Sequence, residues 1–450
     1  LAAAGSRGDA AKAVAAAADA FGTWSKTPPA GRQRVFLKAA DVLESRSQDV
    51  VALLARETGC TFGFGMFQIG FVPNLLRQAA GLAYAPIGEV IPSDMGAFAM
   101  GLRRPVGVVG AIAPWNAALI LSARAIAAPL ALGNSVVLKP SEWSPITGGT
   151  LWGEIFTEAG LPPGALNVVT HEPGQAGPIG DELVENPAVR RLNFTGSTAT
   201  GRKLAEAAGR NLKRIVLELG GYNPLIVLAD ADPEYAVNAA TFGAFLHQGQ
   251  ICMSARKIIV EKPIAEEFVS RLTAKTKGLK AGDPKEPATI IGPLINEDAV
   301  ALVTQRVDEA VKKGAKVLAG GHAHGNVYEA TLLADVPADS EFARKETFGP
   351  VAAIEVVDSV EAAIRSANAT PYGLASGIIT GDADRGMALA QQIEAGIVHI
   401  NDQTVADEPQ MPFGGTKDSG FGRFGGTAVL DEFTELRWIT VQSGSHPFPF

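Results

Sequence analysis

From residue 106 onward, short apolar runs alternate with segments of helical spacing, and this limits what the chain can fold into more than any other feature. The run 106–113 predicts a strand and 122–132 a helix. The pairs 135–138 and 146–159, 166–170 and 174–184, and 191–194 and 198–208 repeat the pattern. These strands carry apolar residues on both faces, as strands buried in a parallel sheet do. Strand–helix alternation of this length means βαβ units and an α/β, doubly wound sheet. A second lobe repeats the theme. Its strands are expected at 225–228, 257–260, 351–356, 376–379 and 396–400, and its helices at 233–247, 263–279, 297–313, 359–367 and 383–393. Ahead of residue 106 the chain reads as helices: an Ala-rich opening, helical apolar spacing over 33–57, and a helix over about 64–83. Residues 84–104, with Pro86, Gly88, Pro92 and Gly96, read as an extended excursion, and the tail 430–450 returns to strand-like alternation.

Composition supports such a fold and removes other classes. With 450 residues, 47% of them apolar and 19% charged, the chain can bury a large core and is not globally disordered. The formal net charge of −8 argues against a nucleic-acid partner. It leaves room for an anionic ligand held by backbone N–H groups at a helix N-terminus. The two cysteines, Cys60 and Cys252, cannot build a disulfide framework, and the six histidines form no HExxH, so no metal is expected. A reducing, cytoplasmic setting fits best. Residues 105–123 carry no charge and could span a bilayer by count alone, but Pro105 and the Pro114-Trp115-Asn116 break make them a strand, a loop and a helix start. No membrane role and no secretory signal are expected. The first residue is Leu1 rather than Met, so a native start further upstream is expected.

Five local patterns could carry chemistry. Cys252 follows a Gly-containing break, His247–Ile251, after a predicted helix. Glu218 ends an apolar strand and precedes Gly220-Gly221. Pro114-Trp115-Asn116 lies at the C-terminal end of the first strand, where α/β sheets bind ligands. Phe194-Thr195-Gly196-Ser197 gives a strand, a tight turn and a helix start, the phosphate-binding layout, although Thr198 stands where GxGxxG would have its second glycine. Lys139-Pro140-Ser141-Glu142 follows the strand at 135–138 and could reach ribose hydroxyls. Each has an ordinary alternative: an inert buried cysteine, a strand-end carboxylate, an asparagine that holds a turn, a plain N-cap, a surface ion pair.

Together, in this order, these blocks resemble the NAD(P)-dependent aldehyde dehydrogenase superfamily. Glu346-Thr347-Phe348-Gly349-Pro350 and Pro412-Phe413-Gly414-Gly415 complete the set, and the resemblance spans nearly the whole chain. It implies that Cys252 is the nucleophile, that the Asn116 amide and the Cys252 N–H hold the oxyanion, and that Glu218 activates the hydrolytic water. Lys139, Ser141 and Glu142 would then bind the adenosine ribose, Gly196 and Ser197 the pyrophosphate, and Glu346 the nicotinamide ribose. Phe348 and Trp115 would line the cofactor cleft. A carboxylate at Glu142 favours NAD, with NADP possible.

The segment 114–130 looks most like bacterial benzaldehyde, vanillin and salicylaldehyde dehydrogenases. Arg124, eight residues past Asn116 on one helical face, would position a hydroxylated aromatic aldehyde, or else serve a structural ion pair. An aliphatic aldehyde or a semialdehyde is the alternative substrate. Ile251 and Phe413 would contact substrate, and Met66, Phe67 and Phe71 could add an apolar wall. The family's usual N-terminal strands look shortened or absent, and Asp418 stands where a small or apolar residue is more common. The family fold implies a dinucleotide-binding domain over 1–86, 106–220 and 414–429 and a catalytic domain over 221–413. Residues 87–105 and 430–450 would form an oligomerisation sheet, giving a homodimer or homotetramer.

Overall fold

The structure, a computed structural model, describes residues 2–445 and 448–450; Leu1 of the expected first domain and positions 446–447 of the expected tail lie outside the described residues. Its first sheet has six strands in the order Gly420–Phe421, Arg214–Glu218, Val189–Thr195, Val108–Ile112, Ser135–Lys139 and Leu166–Val168. The last five run parallel, and Gly420–Phe421 pairs antiparallel to Arg214–Glu218. From Val108–Ile112 the chain first builds outward through 135–139 and 166–168, then crosses back to 189–195 on the other side. That reversal makes the topological switch point where α/β sheets open a crevice at their carboxyl ends. Register brings Ile112 level with both Lys139 and Phe194, and Thr195 level with Glu218. Four of the chemically suggestive segments therefore end on one edge of one sheet.

The second sheet has seven strands: Lys316–Ala319, Thr331–Ala334, Val351–Val357, Lys257–Glu261, Pro224–Val227, Ala375–Ile379 and Ile397–Ile400, parallel except at the first pair. A third sheet is antiparallel and pairs Gly88–Ile91 with Phe98–Pro105 and that strand with Thr434–Val441, in unbroken register from Phe98↔Val441 to Pro105↔Thr434.

The helices match the sequence reading in place and differ at their ends. The stretch 33–57 is two helices, Pro29–Ser45 and Ser47–Thr58, because the polar run Glu44–Gln48 interrupts the apolar row and Arg46 leaves helical geometry. The helix expected at 122–132 begins earlier, at Ala118, and every residue of Ala118–Ala131 is buried. Periodicity cannot locate the start of a helix that is apolar on all sides. The helix expected at 146–159 opens with a π-helical turn, Ile146–Thr150, before Leu151–Glu158. Strands 316–319, 331–334 and 420–421 escaped the sequence reading; they are short and partly polar, and their apolar content alone does not separate them from loop. The chain opens with helix Arg7–Trp24, set by a capping box between Ser6 and Asp9, and the first strand among the described residues is Gly88–Ile91.

The helices over the first sheet pack through large rings. Phe156 is buried, meets Phe36 edge to face at a centroid distance of 5.4 Å and leans on Trp152 at 6.2 Å. Trp24 is also buried, and its indole N–H donates to the Leu130 carbonyl at 3.0 Å, tying the opening helix to Ala118–Ala131. Replacing Phe156 with Ala leaves a cavity between helices Pro29–Ser45 and Leu151–Glu158, and the expected cost is about 3–5 kcal/mol of unfolding free energy. Thermal and denaturant melts followed by circular dichroism measure it; a change below about 1 kcal/mol would mean that this ring cluster does not hold the helical layer.

Candidate active site

Cys252 sits just past a run of left-handed backbone. Helix Pro233–Phe245 ends before a 3-10 turn, Leu246–Gly249, in which His247, Gln248 and Gly249 have φ of 50°, 54° and 64°. Two non-glycine residues in this region are costly unless the surroundings fix them. Here they are fixed. The His247 ring stacks on Phe64 at 4.5 Å, and Gln248 donates to the carbonyls of Gly59 and Pro293, each at 3.1 Å. Gly249 admits no side chain, since a Cβ there would stand 2.2 Å from the Gly349 carbonyl oxygen. Buried Arg256 donates to the carbonyls of Gly249, Gly349 and Val351, so one guanidinium joins the turn before Cys252 to the loop carrying Glu346 and Phe348. Asn223 donates to the Cys252 carbonyl at 2.7 Å and to that of Ser254 at 2.9 Å.

Asn116 is buried, and its amide donates to the Gln250 carbonyl at 2.9 Å. That bond uses one amide hydrogen. It fixes the side chain two residues from Cys252 and leaves the second hydrogen for a ligand oxygen. Glu218 is buried, and neither carboxylate oxygen has a hydrogen-bond partner among the described residues. Such a group is rare in a folded protein and points to a functional demand. Desolvation pushes its carboxyl well above the usual range, against a smaller pull from Arg423 and Arg124. Cys252 is half-buried. Its thiol is pushed up to about 12, first by desolvation and then by Glu346 and Glu218. Cys60 is fully buried with a similarly raised thiol and lies away from these groups, the inert alternative realised.

Arg124 forms the ion pair that was the structural alternative for it. Its Nη2 donates to both oxygens of Asp407, at 3.0 and 2.8 Å, in a buried ion pair. Its guanidinium also lies 4.4 Å above the Phe413 ring and 5.8 Å from Phe71. Phe413 and Asp407 line a cavity of about 620 Å³, shared with Phe67, Leu246, Val405 and Met411. Ile251 is buried beside Cys252, whereas Met66 is exposed. Asp407 was missed by sequence reasoning: a loop acid in Ala406-Asp407-Glu408 gives no signal that it folds back onto a helix.

The expected cofactor groups also gather. Lys139 is not part of a surface ion pair: it is buried, donates to the Pro140 carbonyl at 3.0 Å and to His171 Nε2 at 2.6 Å, and is pulled down to about 8 by desolvation. His171 Nδ1 then donates to the Glu172 carbonyl at 3.0 Å. Ser141 donates to Glu142, whose carboxylate lies 3.7 Å from His171. Ser197 caps helix Thr198–Arg210 by accepting the Thr200 N–H, and a Cβ at Gly196 would strike the Phe194 ring, so this turn can hold a ligand close to the helix N-terminus. Glu346 accepts the Gly221 N–H at 3.2 Å and is raised to about 7 by burial. Trp115 meets Phe348 edge to face at 5.7 Å. Asp418 pairs with Arg202 at 2.6 Å, which accounts for an acid at that position.

The raised Cys252 thiol has a chemical consequence. Alkylation of the free protein by iodoacetamide is expected to be slow at pH 7 and to rise about tenfold per pH unit. Peptide mass spectrometry should place all modification of the folded protein on Cys252 and none on Cys60. Fast, pH-independent labelling would contradict the buried, electronegative surroundings.

Comparison with known proteins agrees with this geometry. A family model described as the aldehyde dehydrogenase family matches residues 2–439. The chain is 48% identical to a vanillin dehydrogenase of Pseudomonas fluorescens, covering 98% of this chain and 91% of the relative. It is 44% identical to a benzaldehyde dehydrogenase [NAD(+)] of Pseudomonas putida over 97% of this chain and 90% of that one. The crystal structure of a salicylaldehyde dehydrogenase from Pseudomonas putida G7 complexed with salicylaldehyde superposes with a TM-score of 0.97 at 45% identity, covering 99% of this chain and 93% of that chain. The chain belongs to the aldehyde dehydrogenase family.

Proposed function

We propose that this enzyme oxidises aromatic aldehydes to carboxylic acids, with NAD as the preferred cofactor. The observation that carries the reading is the Arg124 guanidinium stacked on Phe413, which lines the cavity together with Asp407, the ion-pair partner of Arg124. A cation over one ring, with Phe67 and Phe71 nearby, suits a flat, polarisable substrate. The names of the similar proteins point the same way.

In this reading the Cys252 thiol gives up its proton to water, and the thiolate sulfur attacks the aldehyde carbon. The developing oxyanion accepts hydrogen bonds from the free N–H of the Asn116 amide and from the Cys252 backbone N–H. When bound, the nicotinamide supplies the hydride acceptor that lets the thiohemiacetal become a thioester. Glu218, unpartnered and with a raised carboxyl, takes a proton from the water that hydrolyses the thioester. Its raised carboxyl supports a base that cycles its proton near working pH, where an ordinary carboxylate would be too weak.

The cofactor groups fit a dinucleotide. The capped N-terminus of Thr198–Arg210 and the small Gly196 leave room for the pyrophosphate. Lys139 and Glu142 would hold the adenosine ribose hydroxyls, where the Glu142 carboxylate would disfavour a 2′-phosphate, and Glu346 would hold the nicotinamide ribose. The dinucleotide-binding domain is 1–86, 106–220 and 414–429, and the catalytic domain is 221–413. The third sheet mediates a homodimer or homotetramer, an assignment supported by Trp438 at 78% and Leu436 at 60% exposure on a strand paired on one edge only. No helix among the described residues is long and apolar enough to cross a membrane.

NADH formation with benzaldehyde, salicylaldehyde, vanillin and a straight-chain aldehyde tests the proposal. The aromatic aldehydes should lead, Cys252→Ala should abolish turnover, and Asn116→Ala should cost on the order of 10²–10³ in rate. A leading straight-chain aldehyde would remove the substrate assignment and leave the mechanism standing. The Glu218 carboxyl is raised in the folded protein and works as a base only when deprotonated. Turnover should therefore climb as pH rises, with the climb displaced above the range of an ordinary carboxylate, and Glu218→Gln should flatten that climb and leave a burst of NADH with slow steady turnover. A pH profile unchanged in Glu218→Gln would assign the base elsewhere. Trp438→Asp should lower the mass measured by light scattering; an unchanged mass would exclude the third sheet as the interface.

A further inference from the structure

We infer that Asp407 is a specificity-determining residue, which neutralises Arg124 so that the pocket takes an uncharged aromatic aldehyde and rejects one bearing a carboxylate. The inference rests on the aromatic-aldehyde reading above and deepens it. A lone buried arginine is a natural anchor for a substrate carboxylate, because its fork of donors matches that group. Arg124 is not alone. Both oxygens of Asp407 accept from its Nη2, and the two side chains are 5% and 10% exposed, so Asp407 lines the cavity with its charge balanced by the arginine packed on Phe413. Nε and Nη1 have no hydrogen-bond partner among the described residues.

The rest of the cavity independently supports the same selection. Its lining contains Asp402, Asp407 and Glu408 and no lysine or arginine; its one imidazole, His399, is pulled down by burial and so resists becoming a cation. A substrate anion would meet the carboxylates of Asp402 and Glu408 and, behind Asp407, an arginine already paired. Like charges brought together in a partly desolvated site repel strongly. A neutral ring meets instead an apolar wall of Phe67, Leu246, Val405, Met411 and Phe413.

The discriminating pair of substrates is 4-carboxybenzaldehyde and its neutral methyl ester, methyl 4-formylbenzoate, assayed by NADH formation beside benzaldehyde. The wild-type enzyme should favour the ester in kcat/KM by about tenfold or more. High salt should narrow the gap by screening. Asp407→Asn should narrow it about tenfold, mainly through a lower KM for the acid, and Asp407→Glu should restore it. Circular dichroism melts establish that each variant is folded. If Asp407→Asn does not fold, the salt dependence and the double variant Asp402→Asn with Glu408→Gln carry the same test through the cavity field. A wild-type enzyme that accepts acid and ester equally, or a folded Asp407→Asn variant with an unchanged ratio, overturns the inference while aromatic oxidation stands. Failure to oxidise benzaldehyde or the ester at all overturns the aromatic reading and this inference with it.

Discussion

The buried guanidinium of Arg256 is the contact on which the site depends. It begins the strand Lys257–Glu261 region of the second sheet and gathers carbonyls from two loops, at Gly249 and at Gly349 and Val351. One loop ends at Cys252. The other carries Glu346 and Phe348. A charge buried this completely is tolerable only because several oxygens face it, and removing it would leave those carbonyls unpaired. The same contact explains why the turn before Cys252 can keep two residues in left-handed backbone: the strained segment is clamped from outside rather than relaxed by glycine.

Around this clamp, electrostatics is organised by burial more than by pairing. Glu218, Glu346 and Cys252 all have raised proton affinities, and desolvation is the first cause for each. Glu346 and Glu218 further disfavour the Cys252 thiolate, so the site rests with fewer negative charges than its composition suggests. Arg124 and Asp407 act in opposite senses on both Glu218 and Cys252. The pair therefore places a dipole beside the site rather than a net charge, and its orientation decides which reacting group feels more of it.

Much of this was legible in the sequence, for physical reasons. Strand ends at Ile112, Lys139, Phe194 and Glu218 could be read from apolar runs, and parallel register then brings their trailing residues together without further information. Cys252, Asn116 and Glu218 could be marked because their blocks recur in one order. What escaped were groups defined only by tertiary contact. Asp407 is a loop acid until it meets Arg124. His171 follows a short strand until Lys139 reaches it. Arg256 and Asn223 carry no periodic signature, and their importance lies in carbonyls that belong to distant segments. The split of 33–57 into two helices was visible as a polar run and was overridden by the strong apolar spacing on either side.

The two antiparallel pairings made by the end of the chain have a consequence for how the molecule comes into being. Phe98–Pro105 finds its second neighbour in Thr434–Val441, and the strand ending in Glu218 finds its outer neighbour in Gly420–Phe421. Both pairings span hundreds of residues and close only after nearly the whole chain exists. Non-local pairings of this kind form late, because the loop-closure cost precedes any reward. On the ribosome, the first sheet can condense while its edge beside Glu218 stays open, so a nascent chain carries Cys252 before the wall around Glu218 is finished. The segments 420–421 and 434–441 thus close the surroundings of Glu218 and the third sheet in late, related steps.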